Sequence, residues 1–233
     1  MTTTRTGNLF MSMKHVCVLF VLGAVFVAGT ILAGYKVKPF SAGHAKSFLA
    51  LDSHDRITIA AEPYDRSDKV LQVFDRDPGR ENFVTVLIVV SNDSEDEIEL
   101  NGNEVELTSA KSRGLHPTPT DDVVRELFHL KNRRRSSSGK IGIGGVGLGG
   151  NPEKDFINAQ ADFLSKELGD KFVSPHSTAY GFVFYETPEL GAALVGGKIY
   201  IPRVRIRRSS DPKQVGRELL FYEVDLKPAI IGH

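Results

Sequence analysis

The residues in this chain that could do chemistry are few, and most have a plain structural reading. Gly142, Gly144 and Gly147 spell G-x-G-x-x-G. In a dinucleotide site such glycines follow a strand and open a helix, so that backbone amides cradle a pyrophosphate. Here Arg133, Arg134, Arg135 and a serine run precede them, and the next helix signal is Pro152. The tract therefore reads as a glycine-rich loop, and no cofactor is expected. Its Ile141, Ile143, Val146 and Leu148 would be costly to leave in water. Arg133, Arg134 and Arg135, with Lys140 close by, supply positive charge, each worth about 1 kcal/mol near an anionic lipid surface. These arginines and the four apolar residues are the candidate contact site for a protein partner or a membrane.

Arg203, Arg205 and Arg207 alternate with Val204 and Ile206. At the strand period the three share one face. Glu223 and Asp225 alternate likewise further on, so cross-strand ion pairs between the two sets are expected. Asp93, Glu95, Asp96, Glu97 and Glu99 form an acidic turn without the D-x-D-x-D-G spacing of a calcium loop, and Asn92-Asp93-Ser94 is a glycosylation sequon in form. His116, His129 and His176 are scattered, without the close pairing of a zinc motif. No G-x-S-x-G nucleophile elbow is present. No metal and no catalytic residue is expected. The alternative is an exported hydrolase whose site assembles in space near His116 or His176.

Composition narrows the class further. The 233 residues carry 29 Lys+Arg and 29 Asp+Glu, with 41% apolar residues and one cysteine. These are ordinary globular values that exclude a disordered chain, a polytopic membrane protein and a disulfide scaffold. Arg5 and Lys14 are the only charges before Tyr35, which leaves 27 basic against 29 acidic residues in the body. A body so near neutrality speaks against nucleic acid as a partner.

Residues 16–34 form an apolar run broken only by Thr30. About 19 residues at roughly 1.5 Å each match a bilayer core and exceed an ordinary signal core. The run reads as a retained transmembrane anchor or a cleaved signal, with residues 1–15 inside and the body outside, in an inner or plasma membrane. Cys17 lies at the start of the run, so lipidation there is not expected, and the exported body carries no thiol.

The elements that must position these residues follow from periodicity. Residues 35–55 carry no clear period and read as a stalk. Residues 56–61 and 70–74 read as strands. The almost continuously apolar residues 83–90 read as a central strand buried on both faces. Residues 98–107 alternate around Asn101-Gly102 as a hairpin. A helix starts at Thr120 and another at Pro152, the second with Ile157, Ala161, Leu164 and Leu168 on one face. Strands resume near Phe172, with an aromatic run over 178–186 as a second central strand. Residues 199–207 and 217–226 read as a hairpin across the 209–216 loop. Without strand–helix–strand alternation, the expected fold is mainly β: an antiparallel sandwich over 56–233 with a helical and glycine-rich insertion at about 110–171, preceded by one N-terminal transmembrane or signal helix.

The stretch from Phe83 to Leu100, a buried strand closing in Asn and an acidic turn before a short alternating strand, resembles exported bacterial immunoglobulin-like domains. The stretch from Val173 to Phe184 is similar to their later strand, which follows a Pro- or Gly-containing turn. The resemblance implies an immunoglobulin-like envelope or secreted domain, commonly without a known activity. Together these readings predict a membrane-tethered, extracytoplasmic interaction or structural module of the cell envelope, held to the membrane through residues 16–34, with a protein partner there.

Overall fold

The computed structural model describes residues 34–109, 114–129, 152–189 and 194–231. Its body is mainly β, with every strand pair antiparallel. The strands are β1 (Leu51–His54), β2 (Ile57–Tyr64), β3 (Phe83–Asn92), β4 (Glu97–Asn101), β5 (Glu106–Thr108), β6 (Asp170–Val173), β7 (Ser177–Glu186), β8 (Lys198–Ile201), β9 (Val204–Arg208) and β10 (Tyr222–Asp225). The helices are α1 (Ser67–Val73), α2 (Thr120–Leu127), α3 (Pro152–Lys166) and α4 (Lys227–Ile231). A four-stranded sheet runs β1-β2-β3-β7, and two three-stranded sheets run β10-β8-β5 and β6-β4-β9.

The residues expected to be buried on both faces are so. Every residue of β3 is buried, and its side chains divide by the strand period. Val84, Val86, Ile88 and Val90 enter a core shared with the two smaller sheets, which is the sandwich. Phe83, Leu87 and Val89 enter a second core on the opposite face, together with Val70 and Phe74 around α1, Val123 and Val124 of α2, and Phe163 of α3. The helices expected as an insertion therefore form a third layer over the long sheet.

Several elements depart from the sequence reading. Residues 70–74 lie not in a strand but in and just after α1, because Val70, Val73 and Phe74 reach one buried side at helical spacing. The 98–107 hairpin does not form, since β4 and β5 belong to different sheets. The Asn101 side chain instead accepts from the Asn103 amide and opens a 3-10 turn over Gly102–Glu104. Gly102 is needed for packing: a Cβ there would stand 2.6 Å from the Gly169 carbonyl oxygen. Likewise β8 pairs with β10 and β5 while β9 pairs with β4, so residues 199–226 are no simple hairpin.

The aromatic strand β7 is an edge strand in its sheet, covered where Leu168 N–H donates to Phe182 O at 2.9 Å and Thr118 N–H to Phe184 O at 2.7 Å. The segment read as a stalk is packed, with Tyr35 and Ala45 in the helix-side core and Ala50 in the sandwich core. Of the expected face, Ile157 and Leu164 on α3 are turned outward, 54% and 44% exposed, while Leu168, just past the helix, is buried in the sandwich core; the inward side of α3 is Phe156, Ala159 and Phe163. Among the described residues no helix is long and apolar enough to cross a membrane.

Candidate functional site

One end of the helical layer brings together Gly34, the end of α2 before His129 and the start of α3 at Pro152, three of the points where the described chain meets the stretches outside it. Tyr35, one residue past the apolar run, is fixed there. Its amide donates to Asp155 Oδ1 at 2.9 Å, and its hydroxyl donates to Asp162 Oδ2 at 2.7 Å. Both acceptors lie on α3, seven positions apart, which puts them on one side of the helix. Gly34 crowds the same Asp155, since a Cβ on it would stand 2.6 Å from Oδ1. Lys166 Nζ completes the network, donating to Asp162 Oδ1 at 2.6 Å and to Val73 O at 2.8 Å. Burial first, and then the hydrogen bond to Asp162, push the Tyr35 hydroxyl above the usual tyrosine range.

The rest of this end is built from short contacts. Lys36 N–H donates to Asp75 Oδ2 at 3.1 Å, and Lys38 Nζ donates to the Leu71 and Phe74 carbonyls. Arg76 donates to Leu127 O at 3.1 Å and lies 4.0 Å over the Phe128 ring, which meets Phe156 edge-on at 5.6 Å. His129 and Pro152 flank the stretch that carries Arg133, Arg134, Arg135, Ile141, Ile143, Val146 and Leu148. That contact site lies outside the described residues, as does nearly all of the apolar run.

The arginine stripe is present and paired, but with other acids than expected. Arg203 grips Glu104 through Nε and Nη2 at 3.0 and 2.8 Å, and Arg205 grips Glu218 Oε1 at 3.0 and 2.8 Å. Arg207 reaches Glu99 at 3.1 Å and stacks 4.5 Å over Phe172. The reason is topological: β9 lies beside β4, not β10, so Arg207 meets Glu99 of β4 and Arg203 meets Glu104 of the turn that follows it, while Arg205 faces Glu218 of the segment bridged to β9. Glu223 pairs with Lys198 at 2.6 Å, and Asp225 caps the Lys227 amide at 2.9 Å.

The acidic turn is likewise neutralised from neighbouring elements. Asp93 meets Lys46 at 2.6 Å and His44 at 3.3 Å, and these bonds hold its carboxyl below the usual range. Glu95 meets His176 at 3.3 Å and Glu97 meets Arg208 at 3.6 Å. Among the described residues no group of three or more His, Cys, Asp and Glu could hold a metal ion. Asn92 is buried. Its Nδ2 donates to the carbonyls of Asp96, Val173 and Ser174, and its Oδ1 accepts from Ser94. The sequon asparagine is thus a turn lock, with no room for a glycan. Nothing in the sequence apart from its place at a strand end signals that role.

Among the described residues, His116, His129 and His176 each meet a different acid. His116 lies 3.7 Å from Glu106, His129 lies 3.9 Å from Glu81, and His176 sits in the turn before β7. A cavity of about 440 Å³ opens at the other end of β2 and β3, with apolar walls from Phe83, Leu194, Val195 and Ile230. Ser67, Asp77 and Arg80 are its polar groups, and neither His116 nor His176 lines it.

No family model matches the chain, and no curated protein matches it. Among solved structures it is similar to the yjhA protein from Bacillus subtilis, at 8% identity and a TM-score of 0.35 over 66% of this chain and 78% of that one. A likeness that loose carries no argument about fold or function.

Proposed function

We propose that this chain is a membrane-tethered, extracytoplasmic interaction or structural module of the cell envelope, with an immunoglobulin-like body and no catalytic role. Residues 16–34 hold it in an inner or plasma membrane as a single pass, and Arg133, Arg134, Arg135, Ile141, Ile143, Val146 and Leu148 form the contact with a protein partner or with the membrane. The observation that carries this reading is the attachment of Tyr35. Hydrogen bonds to Asp155 and Asp162 fix the first residue after the apolar run to α3, the helix that also begins where the contact stretch ends. A contact stretch that returns to the body beside the end of an anchor is well placed for anionic headgroups and for a partner in the same membrane. Two reporters fused after His233, one active only in the cytoplasm and one only outside it, test the topology. Affinity capture from detergent extracts, with and without residues 133–150, tests the contact. Activity of the outside reporter, with partner loss on deletion, is the expected result. Activity of the cytoplasmic reporter alone overturns the topology, and unchanged capture overturns the contact.

A further inference from the structure

The tether reading leaves open how the body stands on the membrane, and the packing of residues 34–38 bears on that. Tyr35 is buried, and its amide and hydroxyl are both held by α3. The next residue is held as well, through Lys36 N–H to Asp75, and Lys38 is held by the Leu71 and Phe74 carbonyls. No flexible spacer therefore follows Gly34. Residues in an extended chain advance at most about 3.6 Å each, so Val37 lies within roughly 11 Å of Gly34.

The surface around this point has a distinct chemistry. Val37, a large apolar side chain, is 62% exposed. Lys36 is exposed beside it, and its ammonium meets no carboxylate among the described residues. Arg76 bonds a carbonyl and covers Phe128, and its guanidinium likewise meets no carboxylate there. Two acids beside it are engaged: Asp155 accepts from Tyr35, and Asp75 accepts from Lys36 N–H and lies 3.8 Å from Lys38. Cations without a carboxylate partner among the described residues, an exposed valine and a partly buried aromatic pair are the composition of a surface that meets lipid headgroups.

We propose that this end of the helical layer, centred on Lys36, Val37 and Arg76, lies directly against the anionic headgroups of the bilayer that holds the chain. The inference rests on the tether reading, because only an anchor ending at Gly34 brings the patch to a membrane. The body is then fixed in one orientation, helical layer toward the lipid and the two smaller sheets away from it.

The test uses the full chain with Cys17→Ser, reconstituted into vesicles of phosphatidylcholine with or without phosphatidylglycerol. An environment-sensitive fluorophore is placed through Val37→Cys or, as a distal control, through Leu220→Cys before β10, and lipids carrying a headgroup quencher are included. Flotation with the vesicles and strong quenching at Val37 but not at Leu220 are expected. Lys36→Glu should then lower quenching at Val37 only where phosphatidylglycerol is present, since each cation near an anionic surface is worth about five-fold in partition. A chain that floats with equal, weak quenching at both positions overturns the apposed patch while leaving the tether intact. A chain that does not float overturns the tether reading, and the patch with it.

Discussion

Removing the Asp162 carboxylate should loosen the attachment of Tyr35 more than any other single change in the helical layer. The group is fully shielded from solvent and receives two short hydrogen bonds, from Tyr35 and Lys166. Breaking a buried pair by deleting one partner costs about 3–5 kcal/mol, because a charge is left uncompensated. Here the cost should fall at the lower end, about 3 kcal/mol. Lys166 keeps its bond to Val73 O and its place 5.1 Å over the Phe74 ring, and a long stem can carry its charge outward. For a body of this size about 3 kcal/mol lowers Tm by roughly 6–12 °C. Asp162→Ala should show that shift by circular dichroism in detergent, together with faster proteolysis within residues 34–50. Replacing the whole network, as Tyr35→Phe with Asp162→Leu and Lys166→Met, should restore most of the lost stability, because apolar groups of similar volume substitute for buried ion pairs at little cost. A shift below about 2 °C for Asp162→Ala, or a triple variant no better than the single one, would refute the reasoning.

Two further outcomes follow from burial. The hydroxyls of Tyr35, Tyr64, Tyr185 and Tyr222 are all held above the usual tyrosine range, chiefly by desolvation. The unfolded chain ionises its tyrosines near pH 10, so above that pH it binds fewer protons than the native state. The stability these groups contribute is therefore complete below pH 10 and falls as pH rises toward the raised native values. Each adds a slope of about 1.4 kcal/mol per pH unit, and Tyr185→Phe should flatten the alkaline decline in unfolding free energy, read from chemical denaturation, by that amount. At Gly181 a Cβ would stand 2.4 Å from Leu168 Cα and 2.5 Å from its nitrogen. Gly181→Ala should therefore cost at least about 2 kcal/mol by forcing β7 and the 167–168 backbone apart, as thermal unfolding against the wild type will show.

What the sequence made legible depended on whether one pattern had one explanation. The run over 83–90 is apolar at every position but Thr85, and its length and β-branched residues fit a strand covered on both faces, so β3 could be read directly. Thr120 with Asp121 and Asp122, and Pro152 after Asn151, marked helix starts that the structure keeps at Thr120 and Pro152. The face of α3 was not legible, because two stripes compete at helical spacing. One is Ile157, Ala161 and Leu164, and the other is Phe156, Ala159 and Phe163 with Asp162 and Lys166 beside it. A buried Asp–Lys pair disguises the inner stripe as a polar face, and only the position of Tyr35 and Val73 shows why both charges can be inside. The partners of Arg203, Arg205 and Arg207 were hidden for a different reason. The period showed that they share a face, but strand order decides which acids lie opposite. The contact stretch of 133–150 was read from composition alone, and it falls outside the described residues.

The helical layer is a requirement of the long sheet rather than an addition to it. Without it, Phe83, Leu87, Val89, Phe182 and Phe184 would face water, and burying each such side chain is worth roughly 1.5–3 kcal/mol. The covering helices cannot stand alone, since α1 and α2 are seven and eight residues long and isolated helices that short do not persist in water. Sheet and helices therefore hold one another, and the segment from Tyr35 to Phe48 closes the gap between them with Tyr35, Phe40, Ala45 and Phe48. This explains why a segment with no readable period is nonetheless fixed: its residues fill irregular spaces between elements, where neither a helical nor a strand repeat is imposed. It also means that a force applied through the residues before Tyr35 is delivered to α3 and the helix-side core, the layer on which the long sheet depends.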